Sequence, residues 1–302
     1  MIRRHANTDL AADLKRIEDR IERLARLVDR DAAPASRPTA DDEILERLVR
    51  IETMLQLIYD REPLQRERLR RLREAADYEQ PFTALEPLVS VVIATYDRGD
   101  LLVERAIPSV LGGSYQNVEL VVVGDDAPPD TGTRVAEVAD PRVRYQNLAY
   151  RGPYPEDRRQ RWHVAGVPPR NAAVALAQGD WIAPLDDDDA FHPQHIERLL
   201  ELARRERHEV AYGRLNCLMN DGSRFSLGEF PPRFGQFGWQ GAIFHQGLRF
   251  FEMELADALF GSPADWSLCR RMLRAGVRFG MLDELVTDHY ESRLGAEEHG
   301  WP

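Results

Sequence analysis

Two aliphatic stretches, at residues 88–95 and 118–123, constrain the fold of this chain more than any other feature. Both are apolar at nearly every position and rich in β-branched residues. Such runs are typical of parallel strands that helices cover on both faces. Between them, residues 100–111 predict a helix that ends at Gly112 and Gly113. The spacing therefore predicts a β-α-β unit at the start of an α/β domain.

The same alternation continues toward the C-terminus. Two prolines open a further helix that Gly179 closes. The predicted elements are a strand at 142–145, an arginine-rich loop at 151–167, a helix from Pro168 and Pro169, a strand at 181–185, a helix near 194–206 and a strand at 209–212. We therefore assign residues 88–302 to one α/β domain.

Residues 1–80 differ from the rest of the chain in composition. They are rich in charged residues, and their apolar residues recur at alternating spacings of four and three. The two runs are Leu10, Leu14, Ile17, Ile21, Leu24, Val28 and then Ile44, Leu48, Ile51, Leu55, Ile58, with Pro34 and Pro38 in the linker between them. This is the narrow seam of a coiled coil. We expect a helical oligomerisation region, which makes the chain a homo-oligomer. The helices either fold back as a hairpin or pair between chains; the alternative is packing against the α/β domain.

Composition excludes several classes of protein. The net charge is −11 and the pI about 5.3, which argues against sequence-independent nucleic-acid binding. No apolar run approaches the roughly 20 residues of a membrane-spanning helix, and residues 1–5 do not begin a signal peptide. Cys217 and Cys269 lack metal-site spacing and are expected to be reduced thiols. We expect a cytoplasmic protein, with peripheral contact at the inner membrane face as an alternative.

Carboxylates follow three of the predicted strands. Asp97 follows the first strand, and Asp125 and Asp126 follow the second. Four consecutive aspartates, 186–189, follow the strand at 181–185. Ligands of open α/β sheets bind beyond the carboxyl ends of the strands, so these groups should share one rim. Adjacent carboxylates repel one another, and a hard divalent cation would relieve that repulsion. The alternative is a solvated acidic loop that caps the next helix.

Five motifs in this order resemble those of family 2 glycosyltransferases with the GT-A fold. They are the first strand with Thr95-Tyr96-Asp97-Arg98, the pair Asp125-Asp126, Arg170-Asn171 at a helix start, Leu185-Asp186-Asp187-Asp188-Asp189, and Ala264-Asp265-Trp266 before a helix ending at Ala275-Gly276. The resemblance covers residues 88–290. It implies a Rossmann-like, mostly parallel sheet flanked by helices, here preceded by the helical region.

The resemblance also implies a role for each matching residue. Those expected around the nucleotide base and ribose are Thr95, Tyr96, Asp97 and Arg98, with Asp125 or Asp126. Arg170 and Asn171 would lie near the ribose or diphosphate. Asp188 would be the first metal ligand, Asp186 would help to hold the ribose or the metal, and Asp187 is counted with the donor-binding residues. Asp265 would be the catalytic base, and His289 a further metal ligand.

The implied reaction is an inverting transfer from a nucleotide sugar, with a UDP-sugar as the expected donor and Mn²⁺ or Mg²⁺ as the cation. The acceptor would be a glycan, a lipid-linked sugar, a protein or a small molecule. The Gln-x-x-Arg-Trp signature of processive relatives is absent, since residues 158–162 have the wrong spacing. A single, non-processive transfer is therefore expected. Departures at Ala94, Asp97 and Pro169 leave the donor specificity open.

Several alternatives stand beside these roles. Asp265 with Ser262 also fits a helix cap. Four arginines, at 151, 158, 159 and 161, either clamp an anion or belong to a solvated loop. The aromatic residues Trp239, Phe250 and Phe251, with His245, line an acceptor pocket or pack in the core. At the level of function, the alternatives are a nucleotidyltransferase of related fold and a non-catalytic coiled-coil scaffold with a degenerate transferase domain.

Overall fold

The β-α-β unit predicted from the two aliphatic runs lies at the centre of the sheet in the computed structural model, which describes residues 40–291. The first strands are β1 (Val89–Thr95), β2 (Val118–Gly124), β3 (Val143–Asn147) and β4 (Trp181–Asp186). β1 pairs in parallel with β2 and with β4, and β2 pairs in parallel with β3. This half of the sheet is as predicted.

The second half of the sheet is mixed. Its strands are β5 (Ala190–Phe191), β6 (Val210–Leu218), β7 (Arg224–Leu227), β8 (Ala242–His245) and β9 (Phe279–Tyr290), in the order β3-β2-β1-β4-β8-β6-β9-β5, with β7 beside β6. Within the described residues, four strand pairings are parallel and four are antiparallel. The prediction of a mostly parallel sheet was therefore wrong. β6 returns directly into β7 as a hairpin, whereas a parallel crossover needs a dozen or more residues.

Helices lie on both faces of the sheet. They are α1 (Ala40–Glu74), α2 (Gln80–Thr83), α3 (Gly99–Leu101), α4 (Ile107–Leu111), α5 (Pro129–Glu137), α6 (Arg158–Val164), α7 (Val167–Leu176), α8 (His195–Glu206) and α9 (Ala264–Ala275). A π-helical turn (Leu102–Ala106) joins α3 to α4, and short 3-10 turns cover Trp239–Gly241, Gln246–Phe250 and Leu255–Phe260. α6 falls where a loop was expected, and it begins because the Asp157 carboxylate accepts the Gln160 amide at 2.8 Å.

The core explains why β1 is apolar on both faces. Val91 and Ile93 pack into a cluster that contains residues of α4 and α8. Val92, which points the opposite way, packs into a second cluster with α7 and α9. Alternate residues of a strand face opposite sides, so a strand covered on both sides must be apolar throughout.

Helix α1 is 35 residues long, and the chain from Thr53 onward belongs to one compact unit with the sheet. Leu69 of α1 is buried in the second core cluster. Arg73 contacts the fully buried Glu209 at 2.8 Å, and the Tyr78 hydroxyl donates to the same carboxylate at 2.7 Å. The second half of the predicted helical region therefore packs on the α/β unit.

The first half of α1 exposes the predicted seam. Leu48, Ile51 and Leu55 are 56%, 52% and 61% exposed. The earlier run, residues 10–28, and the linker at Pro34 and Pro38 lie outside the described residues. The coiled coil stays a prediction.

Within residues 40–291, no helix combines the length and the apolar character that a membrane crossing requires. Cys217 and Cys269 are both buried free thiols.

Candidate active site

The carboxyl ends of β1, β2 and β4 bring the predicted site residues to one rim of the sheet. Thr95 lies opposite Gly124 in the β1–β2 register, and Ala94 lies opposite Asp186 in the β1–β4 register. The segments that continue from these strand ends carry residues 96–98, Asp125 and the acidic run. The sequence prediction of a shared rim is consistent with this geometry.

Arg98 lies between two members of the acidic run. One guanidinium nitrogen donates to Asp187 at 3.0 Å and also to Asp188. Burial raises the pKa of Asp187 to about 7, although Arg98 acts in the opposite direction. Burial likewise raises the pKa of Asp188, again against the effect of Arg98. Arg98 thus offsets part of the repulsion between two buried carboxylates.

Asp186, Asp189 and His289 form a cluster with the composition of a metal site. Each offers a ligand atom, and these atoms lie within 4.8 Å of one another. Asp189 is fully buried and accepts the Tyr290 backbone amide at 3.0 Å. Carboxylate oxygens with one imidazole suit a divalent cation such as Mn²⁺, so the residues present fit a metal. Asp186 and His289 were predicted as ligands, whereas Asp188 lies outside this cluster and beside Arg98.

Asp189 was not singled out from the sequence as a ligand, although the acidic run contains it. Its carboxylate contacts Nδ1 of His289 at 2.9 Å. Burial is the largest influence on His289 and opposes its charge, but Asp189, with Asp186 and Asp188, raises the pKa of the imidazole to about 9. The pair holds the ring in place by a charged hydrogen bond.

Arg170 connects the acidic cluster to Asp265. It lies in the first turn of α7, and its guanidinium contacts the Asp186 carboxylate. Burial is the largest influence on Asp186 and disfavours its ionisation, but Arg170, His289 and Arg98 together hold its pKa below the usual value. The charge of Arg170 also acts on Asp265 and favours its ionised form. The positive charge of Arg170 therefore acts on both Asp186 and Asp265.

Asp265 lies in the first turn of α9. The helix begins at Ala264 after Pro263 and has no side-chain cap, so the cap expected from Ser262 is not formed. The Asp265 carboxylate instead accepts the Trp266 amide at 2.6 Å, and its backbone carbonyl accepts Nε1 of Trp239 at 2.8 Å. Burial raises the pKa of Asp265. This carboxyl group is well fixed and takes up a proton more readily than an exposed aspartate.

Asn171 uses its side chain to hold a loop. Its amide donates to the Met253 carbonyl at 2.7 Å and accepts the Met253 amide at 3.2 Å. The expected position near a ribose or diphosphate stays a prediction.

The loop after β3 covers two of the residues predicted to bind the nucleotide. Asp125 is buried; it accepts the Gly152 amide at 3.1 Å and the Tyr154 hydroxyl. The Arg151 guanidinium lies 3.6 Å from the centre of the Tyr96 ring, a cation–π contact. Asp97 and Asp126 are exposed. No sequence signal marked Tyr154 as a partner of Asp125.

A cavity of 360 Å³ lies beside Arg170. Its lining includes Val174, Trp239, Phe250, Phe251 and Leu268. Three of the four proposed acceptor-pocket residues are therefore here, but His245 is not. The His245 ring packs against Tyr78, Phe82 and Trp181 in the core.

The sequence of the chain around this site matches a known protein family. The profile of glycosyl transferase family 2 matches residues 90–260, more than half of the chain. The chain is 26% identical to the amylovoran biosynthesis glycosyltransferase AmsB of Erwinia amylovora, over 70% of this chain and 72% of that protein. It is 37% identical to the succinoglycan biosynthesis protein ExoO of Rhizobium meliloti (strain 1021), over 45% of this chain and 35% of that protein.

A third relative has a more explicit name. The UDP-Glc:alpha-D-GlcNAc-diphosphoundecaprenol beta-1,3-glucosyltransferase WfgD of Escherichia coli is 29% identical over 44% of this chain and 48% of that protein. The chain thus spans about a third of ExoO and about half of WfgD.

Among solved structures, the fold is similar to that of S. aureus TarS 1-349 in complex with UDP-GlcNAc. The TM-score is 0.55 at 15% identity, over 70% of this chain and 61% of that chain. At this identity the likeness shows the fold alone. The family match argues against a nucleotidyltransferase of related fold, whereas a scaffold with a degenerate transferase domain would match the same profile. This chain belongs to glycosyl transferase family 2.

Proposed function

We propose that this chain is a metal-dependent, inverting GT-A glycosyltransferase that transfers one sugar from a nucleotide sugar to an acceptor hydroxyl. The observation that carries the proposal is the arrangement around Arg170. This one side chain contacts Asp186 of the acidic cluster and acts electrostatically on Asp265. A donor-binding centre and a candidate base are therefore neighbours.

The proposed cation is Mn²⁺ or Mg²⁺. Asp186 and His289 would hold it, Asp189 orients the imidazole, and Asp188 is a further ligand once Arg98 releases it. When bound, the cation would stabilise the charge that develops on the departing nucleoside diphosphate.

Asp265 is the proposed catalytic base. In one displacement, the acceptor oxygen bonds to the anomeric carbon as the bond to the diphosphate oxygen breaks, and Asp265 takes the hydroxyl proton. No nucleophilic side chain is required, and attack from the opposite face inverts the anomeric centre. The raised pKa of Asp265 and the hydrogen bond that its carboxylate accepts from the Trp266 amide suit this role.

We infer that the donor is a UDP-sugar. Arg151 stacks on the Tyr96 ring and lies 3.9 Å from Asp125, so an aromatic ring, a carboxylate and a guanidinium meet under the loop at 151–154. The name of WfgD specifies a UDP-glucose donor for that protein, and TarS was solved with UDP-GlcNAc. Both facts support the choice of nucleotide, with Thr95, Tyr96, Asp97, Arg98, Asp125 and Asp126 as its proposed surroundings.

The proposed acceptor is a sugar hydroxyl on a growing glycan. The names of AmsB and ExoO place those two proteins in amylovoran and succinoglycan biosynthesis, and the name of WfgD specifies GlcNAc-diphosphoundecaprenol as that protein's acceptor. We further propose homo-oligomerisation through the N-terminal helices and a cytoplasmic location, with peripheral contact at the membrane.

The decisive experiment is release of nucleoside diphosphate from a panel of nucleotide sugars in the presence of Mn²⁺. One donor should be turned over, EDTA should abolish turnover, and Mn²⁺ or Mg²⁺ should restore it. Full activity with the chelator present would contradict the metal dependence. Asp188→Ala should lose metal-supported donor binding together with turnover.

A further inference from the structure

We propose that Arg105 is a positioning residue of the candidate metal centre, because its guanidinium group joins the two segments that carry the ligands. These segments are the acidic run at 186–189 and the end of β9 at His289. The inference rests on the proposed function, since it concerns the cation that the transfer would use.

Arg105 makes one contact with each of the two segments. Its guanidinium donates to the Asp188 backbone carbonyl at 2.5 Å. The central carbon of the same group lies 3.7 Å from the centre of the Tyr290 ring, a cation–π contact. Asp188 directly precedes Asp189, and Tyr290 directly follows His289. Each contact is therefore one residue away from a member of the cluster.

A π-helical turn carries Arg105. The turn covers Leu102–Ala106, and the Ile107 amide donates to the Leu102 carbonyl five residues earlier. Pro108 gives a local reason for the turn, because a proline has no amide proton and its ring clashes with the carbonyl four residues before it. Single π-helical turns within helices are frequent at functional sites. The sequence around Pro108 thus favours the turn from which Arg105 contacts the acidic run.

The same connection between β1 and β2 holds the chain just after the acidic run. The Ser109 hydroxyl of α4 accepts the Phe191 amide at 3.1 Å and donates to the Ala106 carbonyl at 2.7 Å. Phe191 belongs to β5, where it lies opposite Thr287 of β9. The acidic run is therefore held from this connection at two places, and Arg105 also contacts the end of β9.

A fixed separation of the two segments matters because the candidate ligands come from both of them. Asp186 and Asp189 belong to the acidic run and His289 to β9, yet their ligand atoms lie within 4.8 Å of one another. Groups that orient metal ligands without touching the metal typically change its affinity by roughly 10–100-fold when they are removed. Arg105 is such a group, since it contacts the neighbours of the ligands.

The charge of Arg105 allows its role to be tested by the sign of an effect. Arginine is always charged in proteins, and a positive charge near a bound cation repels that cation. If the charge alone mattered, Arg105→Gln would strengthen Mn²⁺ binding. If Arg105 positions the ligands, the same variant weakens Mn²⁺ binding, and we expect a loss of roughly tenfold.

Calorimetric titration of the full chain with Mn²⁺, in the presence of UDP, measures this effect. Arg105→Lys keeps the charge but has no planar group to serve the carbonyl and the ring together, so its affinity should fall between those of wild type and Arg105→Gln. Glu104→Gln, at an exposed position of the same turn, is the matched control. Tyr290→Phe keeps the aromatic face and should bind Mn²⁺ more tightly than Tyr290→Leu, which removes it.

Unchanged or tighter Mn²⁺ binding in Arg105→Gln would overturn the inference, even if the variant melts at a lower temperature, since Arg105 would then only support the fold. If Arg105→Gln does not fold, the two variants of Tyr290 decide, and equal Mn²⁺ affinities would overturn the inference. A wild-type chain that binds no Mn²⁺ contradicts the proposed metal centre itself. Wild-type binding with unaffected variants contradicts only the role of Arg105.

Discussion

Nδ1 of His289 lies 2.9 Å from the carboxylate of Asp189, a residue one hundred positions earlier in the chain. With Nδ1 as the donor, Nε2 is the nitrogen that would bind a metal, and the metal would displace the proton that the raised pKa keeps there. A carboxylate behind a ligating histidine fixes its tautomer and orientation. The buried aspartate at the end of the acidic run is thus best understood as the partner of His289.

Asp189→Asn should weaken Mn²⁺ binding by roughly 10–100-fold, because an amide orients the imidazole less strongly than a carboxylate does. Calorimetry with UDP present measures the change. Asp288→Asn is the matched control. Asp288 lies on β9 next to His289, but its carboxylate pairs with His192 at 2.9 Å. Equal Mn²⁺ affinity in Asp189→Asn and wild type would remove Asp189 from the metal centre.

Asp265→Asn should reduce turnover by roughly 10²–10⁴-fold, because the amide cannot accept the hydroxyl proton. UDP affinity should stay near the wild-type value. The asparagine amide oxygen can still accept the Trp266 N–H, so stability should fall by no more than about 1 kcal/mol. Asp130→Asn, at another first-turn acid, serves as the control. Turnover near the wild-type rate would assign the base to another residue.

The stability of the domain should decrease at low pH, and His195 should be one cause. This buried imidazole stacks on Phe191, and burial lowers its pKa from 6.5 to about 3. Between these values the unfolded chain binds the proton and the folded protein does not. Stability is therefore complete above pH 6.5 and declines as the pH falls toward 3, by up to about 1.4 kcal/mol for each pH unit.

Urea unfolding at several pH values measures this slope. In His195→Gln the slope should become shallower, since no imidazole is left to titrate at that position. His208→Gln, at a partly exposed position, should leave it unchanged. An unaltered slope in His195→Gln would assign the acid sensitivity to other groups.

Two truncations should behave differently. Removing residues 1–52 leaves the compact unit that begins at Thr53, so donor hydrolysis should persist while the number of chains per particle in light scattering falls. Removing residues 1–80 also takes away Arg73 and Tyr78, which leaves Glu209 buried with fewer partners. Breaking a buried ion pair costs about 3–5 kcal/mol, so this protein should melt at a clearly lower temperature.

An unchanged number of chains per particle after removal of residues 1–52 would contradict oligomerisation through the helices. The exposed seam offers an independent check. In the full chain, replacing Leu48, Ile51 and Leu55 by serine should lower the mass of the particle in light scattering. Hydrolysis of the donor should not change. Equal melting temperatures for the two truncations would contradict the role of the Glu209 contacts.

The central strands and the rim at their carboxyl ends were predictable, because the sequence of each strand alone shows that it is buried on both faces. A strand buried on both faces must be apolar throughout, and 88–95 and 118–123 show this directly. The acidic run after β4 was likewise visible. The order and direction of the later strands were not visible, since a short strand such as β8 carries no signal for its partner.

The Asp189–His289 pair could not be predicted for a related reason. His289 reaches the site because β9 pairs with β6 in a register that sets Cys217 opposite His289. That register depends on the packing of the whole second half of the sheet. The hydrogen bond from Tyr154 to Asp125 also joins a strand end to a distant loop, and neither residue marks the other in the sequence.

The bridge from Arg98 to Asp187 and Asp188 has a thermodynamic consequence. Part of the negative charge that would attract a divalent cation is already neutralised by a guanidinium group. A lone cation must compete with that group, whereas a cation that arrives with a nucleoside diphosphate brings an anion to which Arg98 can turn. Linkage then requires that each raise the affinity for the other by the same factor. In this centre, metal and donor should bind cooperatively, as a single unit.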